Sequence, residues 1–307
     1  MATAYLTHED CGLHEMGVYH PESPERLRAI RDYLEQTGLL ARLLVLEAQP
    51  AQISAIELAH PPAHVARIRA AQPQQGYAAI DPDTSLCPHS IRAADLAAGA
   101  VVQAVDGVCL GRFENAFCAV RPPGHHAEYE TSMGFCLFNN VAIGVKHAQR
   151  AYGLERVAVL DFDVHHGNGT VDIFKDDPRV LICSSFQHPF YPGRYVDIER
   201  PNIINTPLAA GTDGDLFRQA IERDWLPALA RQRPEMIFVS AGFDAHRDDP
   251  LGGLNLTEDD FRWVTRLIVD AAGEYAANRL VSVLEGGYDL DALARSAHAH
   301  INELLNT

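Results

Sequence analysis

Residues 157–169 read Val-Ala-Val-Leu-Asp-Phe-Asp-Val-His-His-Gly-Asn-Gly, an apolar run that turns abruptly into acids, histidines and glycines. The apolar half is typical of a buried strand. Ionisable groups at the end of such a strand need partners, and a metal ion is one such partner. Asp163 and His165 are two residues apart and project to one side of an extended segment, and we expect Gly167 and Gly169 to allow a tight turn. The stretch predicts a strand that ends at a metal site, with an ordinary polar turn as the simpler alternative.

Three further apolar strands are predicted to end in loops that carry His, Asp or Tyr beside Gly or Pro. These loops are 121–127, 240–246 and 285–289. Apolar strands alternate with amphipathic helices, which predicts an α/β fold with a mostly parallel sheet and helices on both faces. Sites in such folds form at the carboxyl ends of the strands. We therefore expect the four loops to meet at one site, within a single domain over residues 1–307.

Composition narrows the class of protein. The formal net charge of −16 argues against binding of nucleic acid and favours approach of a cationic substrate. No apolar run reaches the roughly 18 residues needed to cross a bilayer, and the N-terminus does not resemble a secretory signal. The six cysteines form no C-x-x-C pair and indicate reduced thiols. We expect a cytoplasmic protein that binds neither membrane nor nucleic acid; its oligomeric state is left open.

Local signals also give the bounds of individual elements. Ser23 is predicted to cap a helix that has Pro24 at its first position and ends near Gln36. The polar, turn-rich segment 76–88 is predicted to be a surface loop, and the apolar run 180–183 a strand.

The candidate metal ligands are Asp163, His165 and Asp244. Two oxygens and one nitrogen, with positions left open for water and substrate, are typical of a catalytic zinc site. For Asp244 alone, a helix cap or a salt bridge with Arg247 is an equally reasonable interpretation. Together with the stretch 157–169, the metal is the favoured interpretation.

Adjacent histidines, His125 and His126, lie on a loop that prolines and a glycine keep irregular. An imidazole is a natural general base near neutral pH, and either ring is a candidate. Asp161 is placed to orient one of them and Asn168 the other. Tyr288, in a Gly-Gly-Tyr loop, is a candidate donor to a developing oxyanion, although packing on the last helix is an alternative.

Four motifs occur in this order: R-P-P-G-H-H-A, D-x-D-x-H-H-G-N-G, S-A-G-F-D-A-H-x-x-D-P-L-G-G and E-G-G-Y-D. Together they resemble the zinc-dependent histone deacetylase superfamily, which includes acetylpolyamine amidohydrolases and acetoin-utilisation proteins. The resemblance runs from about His20 to the last helix, and H-P-E-S-P-E-R-L near the start is most similar to the class II branch. It implies an arginase/deacetylase-like three-layer fold with about eight strands, a catalytic zinc ion and a structural potassium ion.

The resemblance also implies roles for matching residues. The zinc ligands are Asp163, His165 and Asp244; the second histidine, His126, is the general base and acid; and Tyr288 stabilises the oxyanion. Asp161 pairs with His125. The implied potassium ligands are Asp161, Asp163, His165 and Ser184. Carbonyl groups that would hold a second monovalent cation are those of Phe174 and Val180. The residues implied to line the acyl-lysine tunnel and its acetate-release channel are Gly134, Phe135, Tyr191, Leu251 and Arg26.

Two positions depart from the family pattern. Asn168 stands where some members carry an Asp beside the second histidine, and a neutral amide stabilises an imidazolium less. Phe186 stands where many members carry a His. The implied reaction remains hydrolysis of an N-acyl amide by metal-activated water.

Alternatives differ mainly in substrate. An acetylpolyamine amidohydrolase would place a carboxylate near the mouth of the tunnel; Leu251 favours acyl-lysine instead, but Asp81 and Asp83 leave the polyamine open. A binuclear manganese ureohydrolase would need more bridging carboxylates than Asp163 and Asp244 supply. A non-catalytic, zinc-dependent binder of acylated ligands is a third alternative, and the two histidines and Tyr288 argue against it.

Overall fold

Ten strands and nine α-helices alternate along residues 2–306, the residues that the computed structural model describes. The strands are β1 (Thr3–Thr7), β2 (Leu44–Glu47), β3 (Ala78–Asp81), β4 (Thr84–Leu86), β5 (Asn115–Cys118), β6 (Val157–Asp161), β7 (Val180–Gln187), β8 (Ile203–Leu208), β9 (Met236–Ala241) and β10 (Leu280–Leu284). The helices are α1 (Glu25–Gln36), α2 (Ile53–Ile56), α3 (Pro62–Ala70), α4 (Ser90–Cys109), α5 (Asn140–Tyr152), α6 (Asn168–Phe174), α7 (Gly214–Gln232), α8 (Glu258–Tyr275) and α9 (Leu290–Leu305). None of these helices is both long and apolar enough to span a membrane.

Eight of the strands in this range form one sheet, in the order β2-β1-β5-β10-β9-β6-β7-β8. Every pairing in it is parallel, whereas β3 and β4 form a separate antiparallel hairpin. The predicted parallel sheet of about eight strands is confirmed.

Helices cover both faces of the sheet because successive strand residues point to opposite sides. In β6, Val157 and Val159 pack into a core cluster with α4 and α5. Ala158 and Leu160 pack into a second cluster, with α7 and α8. A strand buried on both faces has an unbroken apolar sequence, which explains the run at the start of β6. The three-layer α/β architecture is confirmed.

The four strands whose loops carry His, Asp or Tyr are neighbours in the sheet, in the order β5-β10-β9-β6. Their registers match closely at the carboxyl ends; for example, Asp161 of β6 lies opposite Ser240 of β9, and Leu284 of β10 lies opposite Ala241 of β9. Since all four run in the same direction, the loops that follow them meet at one edge of the sheet.

Two local predictions about the first third of the chain were wrong. The predicted surface loop 76–88 contains the β3–β4 hairpin, whose turn is closed by the Asp83 N–H donating to Asp81 Oδ1 at 2.8 Å. Helix α1 begins at Glu25, with Pro24 and not Ser23 at the N-cap position. No side-chain hydrogen bond caps this end of the helix, so the sequence does not define its first residue to better than one position.

Two further differences lie beside the predicted site. Strand β7 continues through polar, buried residues to Gln187, well past the predicted end at Cys183. The seven-residue helix α6 begins at Asn168, inside the stretch whose glycines were expected only to form a turn. Apolar periodicity fails in both places, because buried polar side chains there face the site and not the core.

A buried ionic cluster joins the start of α1 to the loop after β5. Glu22 is fully buried; its Oε2 accepts from Arg121 Nη2 at 2.6 Å and its Oε1 from Arg26 Nη1 at 3.0 Å. Burial would raise the pKa of Glu22, but the charge and hydrogen bonds of Arg121 outweigh it and lower that pKa to about 2.

Glu22→Gln should lower the free energy of unfolding by ~3–5 kcal/mol at pH 7, because it leaves buried guanidinium groups without a counter-charge. The folded-state pKa lies below the usual 4.5, so this stabilisation is present above pH 4.5 and is lost as the pH falls towards 2. Chemical denaturation measures it, with Glu35→Gln as control, since that glutamate forms an exposed pair with Arg31 worth at most ~0.5 kcal/mol. Equal losses in the two variants would contradict the prediction.

Candidate active site

Asp163, His165 and Asp244 come together at the carboxyl ends of β6 and β9, with their ligand atoms within 4.8 Å of one another. Nδ1 of His165 lies 3.1 Å from Asp163 Oδ1 and 3.1 Å from Asp244 Oδ2. Both carboxylates are buried. The predicted ligand set therefore forms one cluster that could hold a metal ion.

The electrostatics of this cluster favour a cation. Burial and the charge of Asp163 raise the pKa of Asp244 to about 7. Burial lowers the pKa of His165, but its hydrogen bonds to both carboxylates outweigh this effect and raise that pKa to about 10. Protons on His165 and, near neutral pH, on Asp244 thus offset the negative charge of the cluster, whereas the pKa of Asp163 is lowered and it stays ionised. A divalent ion would supply the same positive charge more completely.

Backbone groups hold the carboxylates in place. The Gly286 N–H donates to Asp163 Oδ2 at 2.9 Å, and the Val164 N–H donates to Asp244 Oδ1 at 2.8 Å. A Cβ atom on Gly286 would lie 2.0 Å from Asp244 Oδ2, so no larger residue fits. Gly167 has a similar role: its φ of −73° needs no glycine, but a Cβ would lie 2.3 Å from Asp161 Oδ2. The backbone does turn tightly at Gly167, where the Asn168 N–H donates to the His166 carbonyl at 2.8 Å, but the glycine is needed for the close approach of Asp161 and not for its φ.

The two adjacent histidines lie side by side, with ring centroids 4.0 Å apart, and they have different partners. His125 Nδ1 is 3.0 Å from Asp161 Oδ2, and its Nε2 is 3.7 Å from Asp163 Oδ2. His126 Nδ1 is 2.7 Å from Asn168 Oδ1. The structure thus places an acid beside one histidine and an amide beside the other.

These partners separate the charge states of the rings. Burial lowers the pKa of His125, but the carboxylates around it, led by Asp163 and Asp161, outweigh burial and hold that pKa well above its usual value. Burial and the charge of His125 hold the pKa of His126 well below its usual value. His126 is consequently the neutral ring, able to accept a proton.

A cavity of about 430 Å³ leads to this cluster. Its lining includes Asp83, His126, Gly134, Phe135, His165, Gln187, Phe190, Tyr191, Leu251 and Tyr288. Phe190 stacks on His165 with ring centroids 5.3 Å apart, and Tyr191 meets His126 edge-on at 5.3 Å. The residues implied for the tunnel itself, Gly134, Phe135, Tyr191 and Leu251, border this cavity, whereas Arg26 is not part of its lining. The aromatic walls suit an extended apolar chain.

Tyr288 is held in place by its backbone and its aromatic ring, and not by a hydrogen bond of its hydroxyl group to another described residue. Asp249 Oδ2 accepts from the backbone N–H of Tyr288 at 2.6 Å, the Arg26 guanidinium lies 5.1 Å from the ring centroid, and Phe135 packs edge-on at 6.0 Å. Burial and the charge of Asp244 hold the pKa of the phenol well above its usual value. Tyr288 therefore presents a protonated hydroxyl to the cavity.

The two implied monovalent-cation sites differ in how well the residues fit an ion. Ser184 Oγ, beside Asp161 in the β6–β7 register, is buried and has no hydrogen-bond partner among residues 2–306, as expected of a group that awaits an ion. The carbonyls of Phe174 and Val180 instead each accept from Asn202 Nδ2 at 3.0 Å. One hydrogen bond leaves each carbonyl a second lone pair, so the second monovalent-cation site stays a prediction.

Several residues of the site were missed in the sequence. Glu285 Oε2 accepts from the backbone N–H groups of Gly124 and His125, at 2.7 and 3.1 Å, and so shapes the histidine loop. Asp83 accepts from the Gly134 N–H at 3.0 Å. An acid directly after the buried strand β10 was a usable signal for Glu285. Asp83 was considered in the sequence only as a carboxylate that could meet a polyamine, and no local pattern indicated its hydrogen bond to Gly134. Phe186, the second departure, packs edge-on against His166 at 4.6 Å.

Comparison with known proteins agrees with this geometry. A family model described as "Histone deacetylase domain" matches residues 20–304. A histone deacetylase-like amidohydrolase of Pseudomonas aeruginosa is 41% identical over 88% of this chain and 72% of its own length. The polyamine deacetylase HDAC10 of Mus musculus is 37% identical over 99% of this chain but only 48% of its own length.

Solved structures are similar throughout. The crystal structure of the HDA15 HD domain superposes with a TM-score of 0.93 at 36% identity, over 99% of this chain and 90% of that chain. It shares the parallel sheet that brings the four loops together. With the family model covering most of its residues, the chain belongs to the histone deacetylase family.

Proposed function

We propose that this protein is a zinc-dependent amidohydrolase that removes an acetyl or other acyl group from the side-chain amine of acyl-lysine or a related N-acyl amine. The observation that carries the proposal is one cavity that joins a cluster of metal-ligand atoms, a neutral histidine and a protonated phenol. The family's deacetylases support the reaction type. A non-catalytic binder would need neither His126 nor the Tyr288 hydroxyl.

Asp163, His165 and Asp244 would hold the zinc ion, which when bound supplies Lewis-acid polarisation of the acyl carbonyl and acidifies water. His126 takes a proton from the attacking water and returns it to the leaving amine. The Tyr288 hydroxyl donates a hydrogen bond to the developing oxyanion. His125, paired with Asp161, keeps a positive charge beside the site.

A structural potassium ion held by Asp161, Asp163, His165 and Ser184 is part of the proposal. The buried Ser184 Oγ without a partner among the described residues supports it. We also propose a cytoplasmic location, as predicted from the cysteines. All six are free thiols, which supports a reducing environment.

The walls of the cavity favour acyl-lysine over acetylpolyamine. Leu251 borders the cavity where a carboxylate would be needed to meet a distal ammonium group. An acetylpolyamine is the second candidate substrate, because the carboxylate of Asp83 also borders the cavity. That carboxylate is already engaged by the Gly134 N–H and by a hydrogen bond from Tyr191, which makes it a weaker cation site.

The test is a panel of substrates on the zinc-loaded protein, with and without a chelator. Acetyl-lysine peptides, longer acyl-lysine peptides and acetylated polyamines are compared by kcat/KM. We expect chelator-sensitive turnover that is highest on an acyl-lysine peptide. Zinc binding without turnover of any member would contradict the proposal.

Leu251→Glu should raise the preference for acetylspermidine over an acetyl-lysine peptide by roughly fivefold, since an ion pair at a partly exposed site contributes about 1 kcal/mol. The ratio of kcat/KM values for the two substrates measures it. The control is Leu110→Glu, an exposed leucine directly after α4 and outside the cavity lining. An unchanged ratio in the Leu251 variant would remove this position from substrate selection.

A further inference from the structure

We infer that Glu128 is a positioning residue that fixes the orientation of the Asn168 amide and, through it, the tautomer of His126. The inference rests on the proposed function, in which His126 is the general base. Glu128 lies two residues after His126 and is buried. It is not one of the residues to which the resemblance assigned a role.

A continuous chain of hydrogen bonds leads from His126 to the protein surface. His126 Nδ1 is 2.7 Å from Asn168 Oδ1, and Asn168 Nδ2 donates to Glu128 Oε1 at 2.8 Å. Glu128 Oε2 accepts from Arg194 Nη1 at 2.8 Å. The Arg194 side chain is about half exposed, whereas that of Glu128 is 8% exposed.

The chemistry of these groups fixes which atom donates and which accepts in each of these hydrogen bonds. A carboxylate only accepts hydrogen bonds, so the NH₂ group of Asn168 must face Glu128 and its oxygen must face His126. That oxygen in turn requires a proton on His126 Nδ1, which leaves Nε2 unprotonated in the neutral ring. Asn168 Nδ2 also donates to the His126 carbonyl and to Met133 Sδ, both at the longer distance of 3.4 Å, so Glu128 is its nearest acceptor and carries a charge. Removal of that charge weakens the preference for this orientation, and rotation of the amide by 180° would reverse both assignments.

Glu128 also compensates for the departure at position 168. An amide cannot supply the negative charge that an Asp would place beside His126. Here the negative charge lies one hydrogen bond further away, on Glu128, where it favours the imidazolium formed when His126 takes a proton. Arg194 follows the segment that carries Phe190 and Tyr191, so the same ion pair connects the cavity wall to the base.

Glu128→Gln tests this inference on the zinc-loaded enzyme. Arg194 is a donor and claims the glutamine oxygen, so the glutamine NH₂ faces Asn168 and favours the rotated amide. We expect kcat on an acetyl-lysine peptide to fall ~10–100-fold, the usual effect of losing a supporting partner, with KM and zinc content unchanged. The matched control is Glu130→Gln, an exposed glutamate two residues away, which should behave as wild type.

A double-mutant cycle separates positioning from a merely structural role. In an Asn168→Asp background the partner of His126 has two equivalent acceptor oxygens and needs no orientation. Adding Glu128→Gln there should leave kcat equal or raise it, because it removes a like charge beside Asp. An equal loss of kcat in both backgrounds would overturn the inference.

The inference and the proposed function can fail separately. If the wild type hydrolyses no substrate of the panel, the proposed function fails, and the ¹⁵N chemical shifts of the His126 imidazole in the zinc-loaded protein still report its tautomer. We expect the proton on Nδ1 in the wild type and on Nε2 in the Glu128→Gln variant. The same tautomer in both proteins would overturn the role of Glu128.

Discussion

Tyr288→Phe should reduce kcat for acetyl-lysine hydrolysis by ~10²–10³-fold, the usual effect of removing one donor to an oxyanion. Zinc content and KM should stay close to wild type, because the hydroxyl forms no hydrogen bond to the ligand cluster or to any other residue among 2–306. The ring keeps its packing against Arg26 and Phe135, and the backbone keeps its hydrogen bond to Asp249. Steady-state kinetics and metal analysis of the purified variant measure both expectations.

The control for this variant is Tyr275→Phe, which removes a phenol hydroxyl from the end of α8, away from the cavity. It should leave kcat unchanged. The free energy of unfolding should also be similar in all three proteins, since neither hydroxyl is buried against a partner in the core. Full activity of the Tyr288 variant would exclude the tyrosine from the mechanism, and the oxyanion would then need another donor.

The metal-ligand cluster could be predicted from the sequence because parallel strands impose a simple geometry. Any residues directly after buried parallel strands must lie at the same edge of the sheet. Asp163 and Asp244 therefore lie at the same edge despite the 80 residues of chain between them, and they meet because β6 and β9 are neighbours in the sheet. The strand order β5-β10-β9-β6 itself was not readable, since apolar strands of similar length carry no signal for their neighbours.

The residues that support the site could not be predicted in the same way. Glu285 reaches Gly124 across 161 residues, and Asp83 reaches Gly134 across 51 residues, through loops whose paths no local pattern encodes. Glu128 was hidden for a different reason: an acid in a polar loop is usually solvated, and only the fold shows that it is buried against Asn168. Periodicity finds the elements that carry the site, whereas the contacts between loops depend on tertiary structure.

The polar end of β7 shows that sequence periodicity can also miss site residues within a strand. Ser184, Ser185 and Gln187 interrupt the apolar run that ends the predicted strand, yet all three are buried and remain in the sheet. Gln187 borders the cavity, and Ser184 lies next to Asp161. A strand prediction that ends early beside a candidate site is therefore itself a sign that buried polar groups belong to that site.

Asp244→Asn should abolish zinc binding at micromolar metal and reduce turnover by more than ~10³-fold. The asparagine can keep its oxygen on the Val164 N–H, which then directs its NH₂ group towards His165 and the ion. The variant loses one of two negative charges and presents a donor where a ligand is needed. This effect should exceed the ~10–100-fold loss that follows removal of a supporting partner. Isothermal titration with zinc and kinetics of the metal-loaded protein measure it.

The same substitution should stabilise the metal-free protein. Burial and Asp163 raise the pKa of Asp244 from its usual 3.8 to about 7, so without a cation the free energy of unfolding falls as the pH rises through this range and stays lowered above it. At pH 8 the metal-free Asn variant should therefore unfold at a higher temperature than the metal-free wild type. The control is Asp248→Asn, at an exposed neighbouring residue, which should change neither the zinc affinity nor the unfolding temperature. A variant that lost zinc and also melted lower would mean that Asp244 holds the fold together and is not kept for the metal. Opposite signs for metal affinity and apo-protein stability are what a residue retained for a metal requires.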